Sequence, residues 1–404
     1  MSDFRRNILK TIRSSYENPR ITLLIGPRQV GKTYLLKQLK RNLKKDSKYF
    51  NIEIPQDAKL FNSDEDEIFN IISESGDYCF IDEFHYVKNI SKIFKAIYDA
   101  IDIGRIKQVK IFASGSSAME IHKHLKESLA GRYIKFQIRP LNYDEFCTNR
   151  DIDTSIHEYL SYGGLPGTYD VHHKKDRDKE NYLKQILETY IQKDIKHLIS
   201  EENTSAFNHL LYILAENQGQ IISRANLARD IRVSEKTVER YLDILELTYV
   251  IYKLSSYAAN LSNELKKSKK YYFYDLGIRN AIIENFKNNK KQKGTNWETF
   301  TYHHLLGFQE EANTSIYFWR TSDDLEIDFI WLRNQIPFPI EVKSRLRKAS
   351  IPKAMETFFK AYLDTPFGIV LNEDIEDCLE YRGKEVHFIR FEDIKYLEEM
   401  LNEN

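Results

Sequence analysis

Apolar positions follow two rhythms along the first 140 residues. Short unbroken runs, ITLLI (21–25), KYFNIEI (48–54), YCFID (78–82), KIFAS (110–114) and YIKFQIRPL (133–141), read as buried strands. Between them apolar residues recur every three or four positions, in KTYLLKQLKRNL (32–43), DEDEIFNIISES (64–75), ISKIFKAIYDAI (90–101) and MEIHKHL (119–125). These read as helices, and residues 1–20 read as a short amphipathic one. Strand and helix in alternation predict an α/β fold with a mostly parallel sheet covered by helices.

Near residue 150 the rhythm changes. YGGLPG (162–167) is a turn signal, and the charged stretch 172–198 at helical spacing predicts a solvated connecting helix. From about 204 compact helices follow: AFNHLLYILAEN, SRANLARDI and SEKTVERYLDILE. TYVIYKL (248–254) and KYYFYDL (270–276) read as strands, and 287–293 as a polar basic loop. The last third offers the helix WETFTYHHLLGFQ, the strands SIYFWR, LEIDFIWL and FPIEVKS, a helix near 352–363 and the strand FGIVLN. The expected divisions are 1–150, a linker or lid over 151–203, then 204–283 and 284–404.

Composition narrows the function classes. The 404 residues are 42% hydrophobic, 30% charged and 13% aromatic, enough apolar material for sizeable cores. Lys plus Arg and Asp plus Glu are both 60, so no global field steers the chain to nucleic acid or an anionic membrane. Cys79, Cys147 and Cys378 are far apart and form no CxxC, which argues against a disulfide framework or a zinc site. No stretch approaches the ~18–20 apolar residues of a membrane span. A soluble, cytoplasmic protein is the expectation.

Gly26-Pro27-Arg28-Gln29-Val30-Gly31-Lys32-Thr33 satisfies GxxxxGK[ST] between a strand and a helix. Such a loop turns backbone N–H groups and a helix N-terminus toward phosphate oxygens. Lys32 is expected on the β- and γ-phosphates and Thr33 on Mg²⁺, so the expected ligand is Mg-ATP. The strand YCFID ends in the acids Asp82 and Glu83. Asp82 is the expected Mg²⁺ partner, and Glu83 the base for the attacking water. Ser116, after the next strand, is a candidate for the γ-phosphate or water; the rival reading is a helix cap. Arg132 is a candidate arginine finger or sensor, with Arg105, Arg139 and Arg28 as rivals.

GPRQVGKT, FIDEFHYV (80–87), FASGSS (112–117), LAGR (129–132), PLNYDEF (140–146) and YGGLP (162–166) occur in this order. Together they resemble a large prokaryotic group of AAA-type P-loop ATPases. Members of that group carry a C-terminal domain of unknown function similar to PD-(D/E)XK nucleases. The resemblance implies an AAA-type core, then a winged helix, then a small restriction-endonuclease-like α/β domain.

In the middle region Leu227, Ala228 and Ile231 form one apolar face. Ser234 can cap a second helix carrying Val238, Leu242 and Leu245, and two strands would make a wing. Lys236, Arg232 and Arg240 could approach phosphates, but Glu235, Glu239 and Asp243 share that surface, which favours packing over DNA contact.

In the last third, Glu326 and Asp328 share one face of a strand, and Glu341 and Lys343 one face of the next. Asp328, Glu341 and Lys343 match the D…ExK signature, in which acids hold Mg²⁺ or Mn²⁺ and lysine positions water. Glu298 is a further candidate metal ligand. Arg320, Arg345, Arg347 and Lys348 could hold a phosphodiester backbone. The expected function is ATP hydrolysis coupled to this module, acting on nucleic acid. The alternative is an ATP-controlled switch in which the module only binds a protein or nucleic acid. A homo-oligomer is compatible with both.

Overall fold

The computed structural model describes residues 4–43, 45–116, 129–148, 155–170, 172–173, 175–190, 198–199, 204–257, 269–287, 290–312 and 314–403. Ser117 and the expected helix 119–125 lie outside these residues.

The five apolar runs at the N-terminus form one parallel sheet: β1 (Ile21–Ile25), β2 (Ser47–Asn51), β3 (Tyr78–Asp82), β4 (Lys110–Gly115) and β5 (Tyr133–Gln137). The spatial order is β2-β3-β4-β1-β5. β1, β3 and β4 are buried along their whole length, as unbroken apolar runs in a covered parallel sheet should be. Helices Lys32–Arg41, Glu65–Ser73 and Ile90–Asp102 cover the sheet. β2 stops at Asn51, because Pro55 opens a helix over Pro55–Leu60 where the sequence suggested more strand.

After the ATP-motif region the chain forms helices Ile156–Tyr162 and Asp176–Tyr190. The second was expected to be solvated. Instead it buries Leu183, Ile186 and Tyr190, and Leu183 and Ile186 join Leu36, Phe80 and Phe112 in one core. Its apolar stripe is sparse among charges, so the sequence understated its packing face.

Next come helix Thr204–Glu216, β6 (Ile221–Ile222), helices Arg224–Ile231 and Glu235–Leu247, and the antiparallel pair β7 (Ile251–Ser256) and β8 (Lys269–Phe273). Leu227, Ala228, Ile231, Val238, Leu242 and Leu245 are all buried, and the Ser234 side chain accepts from the Thr237 N–H. Helix Leu276–Ile282 follows β8 directly.

The last third holds helix Lys290–Ala312, β9 (Thr314–Arg320), β10 (Glu326–Arg333), β11 (Ile336–Lys343), helix Lys353–Ala361, β12 (Phe367–Asn372), β13 (Asp377–Tyr381), β14 (Lys384–Arg390) and helix Tyr396–Glu403. The order is β13-β14-β12-β11-β10-β9-β7-β8-β6, so one sheet crosses the division expected near residue 284. The junction is a short parallel pairing, Ser255 with Tyr317 and Ser256 with Phe318. Among the described residues no helix is long and apolar enough to cross a membrane.

Candidate functional site

The loop after β1 turns on Gly31, whose φ of 92° caps helix Lys32–Arg41 in the left-handed region. A side chain is strained there, so glycine lets the helix begin at Lys32 with its first N–H groups facing the loop. Thr33 sits half-buried in the first turn. The buried Lys32 ammonium donates to the carbonyl oxygens of Gly26 and Pro27, at 3.0 and 2.7 Å. Arg28 and Lys32 both bear electrostatically on His85, and Lys32 on Glu83, so the loop and the end of β3 share one site.

At that end Asp82 is buried, and its carboxylate accepts from the Tyr49 hydroxyl at 2.7 Å and from the Ser114 hydroxyl. The two hydroxyl donors orient this carboxylate. Glu83 has φ 55°, a conformation that costs a non-glycine residue about 1–3 kcal/mol. Its carboxylate accepts from Ser116 Oγ at 3.2 Å and lies 3.3 Å from His85 Nδ1. Burial raises the Glu83 carboxyl above its ordinary value, and Lys32 opposes the rise. Burial and the nearby cations Lys32 and Arg28 push His85 down to about 4, so the imidazole is neutral at neutral pH. The residues therefore fit Mg-ATP: Lys32 could exchange its loop carbonyls for phosphate oxygens, and Thr33 and Asp82 offer oxygens to a hard cation.

Ser116 is drawn into the site, and Ser114, Tyr49 and His85 are additional members. Arg132 is not brought there. It precedes β5 at the edge where Ile21 pairs with Tyr133, the opposite end of the strands from the P-loop. Its guanidinium is bonded to Asp99 at 2.7 Å. Arg105 is bonded to Asp66. Of the rivals, Arg139 follows Ile138, whose N–H donates to Ile25 at the loop end of β1.

Two further residues lock the loop, and neither was legible as a site residue. Arg6 is buried and donates to the carbonyls of Val30 and Arg139, both at 2.8 Å, and to Glu145 at 3.2 Å. Glu145 also accepts from the Asn7 and Asn142 N–H groups. Glu145 belongs to PLNYDEF, the signal that could have flagged it. The YGGLP segment lies against the same loop: a Cβ on Gly31 would lie 3.9 Å from Pro166. Gly164 donates its N–H to the buried Asp275 carboxylate at 2.7 Å, and its carbonyl accepts from Leu141. Asp275 also caps helix Leu276–Ile282 through the Ile278 N–H.

In the C-terminal sheet, the register that pairs Phe329 with Ile340 places Asp328 opposite Glu341. Asp328 accepts from the Val342 N–H at 2.8 Å, and Lys343 donates to Glu341. Glu298 faces the same cluster, where it accepts from Tyr272. The expected side chains thus gather, but not as a ligand shell. The Lys270 ammonium, from β8, lies 3.0 Å from Glu298 and 2.7 Å from Glu326. Among the described residues, three His, Cys, Asp or Glu ligand atoms lie within 4.8 Å of one another only at Cys378, Glu385 and His387. As folded, Glu298, Asp328 and Glu341 do not bring one ligand atom each within 4.8 Å of one another, and Lys270 and Lys343 already pair with Glu298 and Glu341. Burial raises Glu298 to about 7 and, together with Asp328, Glu341 to about 8. Burial alone would depress Lys270; Glu298, Asp328 and Glu326 outweigh it and hold the ammonium above its ordinary value. The expected basic surround is partly engaged: Arg320 bonds Asp324 and Glu326, and Arg345 lies 3.7 Å from Glu373.

Comparisons with known proteins agree with an AAA-type domain in the N-terminal region. Residues 18–147 match a family described as an AAA domain. Residues 153–289 and 293–391 match two domains of unknown function, DUF8612 and DUF4143. The uncharacterized protein Rv2008c of Mycobacterium tuberculosis is 26% identical over 358 residues, 87% of this chain and 76% of that one. The uncharacterized protein MJ1544 of Methanocaldococcus jannaschii is 25% identical over 376 residues, 85% and 79% of the two chains. Among solved structures, the Walker-type ATPase PABY2304 of Pyrococcus abyssi is 19% identical, with 69% of this chain and 95% of that chain covered and a TM-score of 0.47. The five-stranded parallel sheet, the P-loop and the AAA match identify an AAA-type P-loop ATPase fold suited to binding and hydrolysing ATP.

Proposed function

We propose that the protein is a Mg²⁺-dependent ATPase whose nucleotide state is passed to its C-terminal region through the glycine loop at 163–164. The observation that carries this reading is the Gly164–Asp275 hydrogen bond. Gly164 stands in the segment that abuts the P-loop, and Asp275 lies two residues past the end of β8, the strand that delivers Lys270 to the C-terminal acids. Lys32 would hold the phosphates, Thr33 and Asp82 would bind Mg²⁺, and Glu83 would take a proton from water as it attacks the γ-phosphorus and the bond to the β,γ-bridging oxygen breaks, with ADP as the leaving group. The cation would neutralise charge on the phosphates.

The domain organisation that goes with this is an ATPase unit (1–150), a lid (151–203), a winged helix (204–283) and a nuclease-like unit (284–404). Helix, short strand, two helices and a hairpin in that order support the winged helix. Arg224 is paired with Glu239, and Arg240 donates to the Leu198 carbonyl, which favours a packing role for its outer face over DNA contact. The Lys270 contacts favour the second functional reading, a switch whose nuclease-like unit binds a partner without cleaving it.

Hydrogen exchange with and without Mg-ATP tests the coupling. Amides at 163–165 and 269–275 should change protection on nucleotide addition, and Lys32→Ala should abolish the change. Identical exchange in these segments with nucleotide bound would sink the coupling.

A further inference from the structure

We propose that Lys270 is the resident cation of the C-terminal acidic cluster, and that a divalent metal can enter only when this side chain leaves. The inference rests on the nuclease-like reading of residues 284–404.

Four acids meet there: Glu298, Glu326, Asp328 and Glu341. Lys343 serves Glu341 from the next position on its own strand face. Lys270 reaches the others from outside the unit. It is 1% exposed, and its ammonium lies over the Phe318 ring, 5.4 Å from the ring centre. Phe318 is also where β9 meets β7, so the lysine enters at the seam between the two parts of the sheet. Burying an ammonium is unfavourable unless it is paired, and here two carboxylates hold it at 2.7 and 3.0 Å. A Mg²⁺ or Mn²⁺ ion needs carboxylate oxygens at roughly 2.0–2.6 Å. An ammonium between Glu298 and Glu326 stands where such an ion would draw them together, and two cations so close in a buried site repel strongly.

One buried atom shows that the cluster has capacity left over. Glu341 is 5% exposed, and its Oε2 has no hydrogen-bond partner, while its Oε1 is taken by Lys343. A buried carboxylate oxygen that makes no hydrogen bond within the protein can accept a further cation contact. Removing Lys270 would leave this oxygen beside Glu298 and Asp328 with a deficit of positive charge, which a divalent ion satisfies. Because Asp275 lies two residues past the end of β8, a shift of the glycine loop is placed to withdraw the lysine.

The test uses the full chain, nucleotide-free and stripped of metal, titrated with Mn²⁺ and read by the electron paramagnetic resonance of the free ion. Lys270→Met should gain one site at least tenfold tighter than any Mn²⁺ binding by the wild type. Glu341→Gln in that background should remove it. The double variant Lys270→Gln/Glu326→Gln keeps the net charge of the cluster and guards against misfolding; it should gain the site too. Retained Mg-ATP binding reports that each variant is folded. A wild-type Mn²⁺ site as tight as in the variants, and lost in Asp328→Asn, would overturn the role of Lys270 while leaving the metal reading intact. Folded Lys270 variants that take up no Mn²⁺ would overturn both.

Discussion

Glu83 stands where the ATPase chemistry is most exposed to a single substitution. Its strained backbone aims the carboxylate between Ser116 and His85, and both are neutral groups, so its charge is available to accept a proton from water. Glu83→Gln keeps the shape and loses the base. It should bind Mg-ATP normally in calorimetry and turn over about 10²–10⁴-fold more slowly; wild-type turnover would assign the base elsewhere. Asp275 offers a pH signature. Burial raises its carboxyl to about 6, against the lowering effect of the backbone N–H groups of Gly164, Ile278, Gly277 and Leu165. A folded value above the unfolded one means that protons favour the fold. That contribution is complete below about pH 4 and is lost as pH rises through about 6. The stability advantage of wild type over Asp275→Asn should therefore shrink by about 3 kcal/mol across this window. Denaturant melts at several pH values would read it, and a flat difference would contradict it. Lys32, Asp82 and Glu83 were legible in the sequence because each sits in a local motif whose spacing states its chemistry. Arg6 and Lys270 were not, because their partners lie 24 to 139 residues and 28 to 56 residues away.

The elements around the P-loop are held by side chains that span them. Arg6 precedes helix Ile8–Arg13 and ties the loop at Val30, the exit of β5 at Arg139 and helix Tyr143–Thr148 through Glu145. Both members of the Arg6–Glu145 pair are buried, so removing Arg6 takes a buried cation from beside a buried carboxylate. Arg6→Met should lower stability by about 3–5 kcal/mol and weaken ATP binding through a loosened loop. A substitution that leaves both unchanged would show that Asn7 and Asn142 alone position Glu145. Most strands and helices were legible from apolar spacing, since β1, β3 and β4 are unbroken apolar runs and helix Glu235–Leu247 keeps a clear stripe. β13 and β14 escaped notice because the first is mostly exposed, with no buried alternation to mark it, and the second mixes charge into its run. The buried face of helix Asp176–Tyr190 was hidden by its high charge.

The cores of the molecule do not respect the divisions read from the sequence. Leu141, Phe146, Tyr159 and Leu160 pack with Trp297, Phe300 and Phe391 in the C-terminal core, while Tyr274, Ile278 and Phe286 pack with Leu36, Phe80 and Phe112 in the core of the ATPase sheet. The local pattern of the sequence changes near 150, but spacing along a chain carries no information about which distant apolar face completes a core. Shared cores make the units depend on one another energetically. Phe300 shows how far that dependence reaches, since its ring packs edge-on against Tyr143 and Tyr159, outside the C-terminal unit, at 5.5 and 5.9 Å. Phe300→Ala should cost about 3–5 kcal/mol, the range for losing a buried aromatic side chain. If the cores unfold together, calorimetry of the wild type should give one cooperative transition. The substitution should then move that whole transition to lower temperature and lower the temperature at which ATPase activity is lost by the same interval. A C-terminal transition that moves alone, with the ATPase melting as in the wild type, would show that the shared contacts do not bind the two units into one cooperative body.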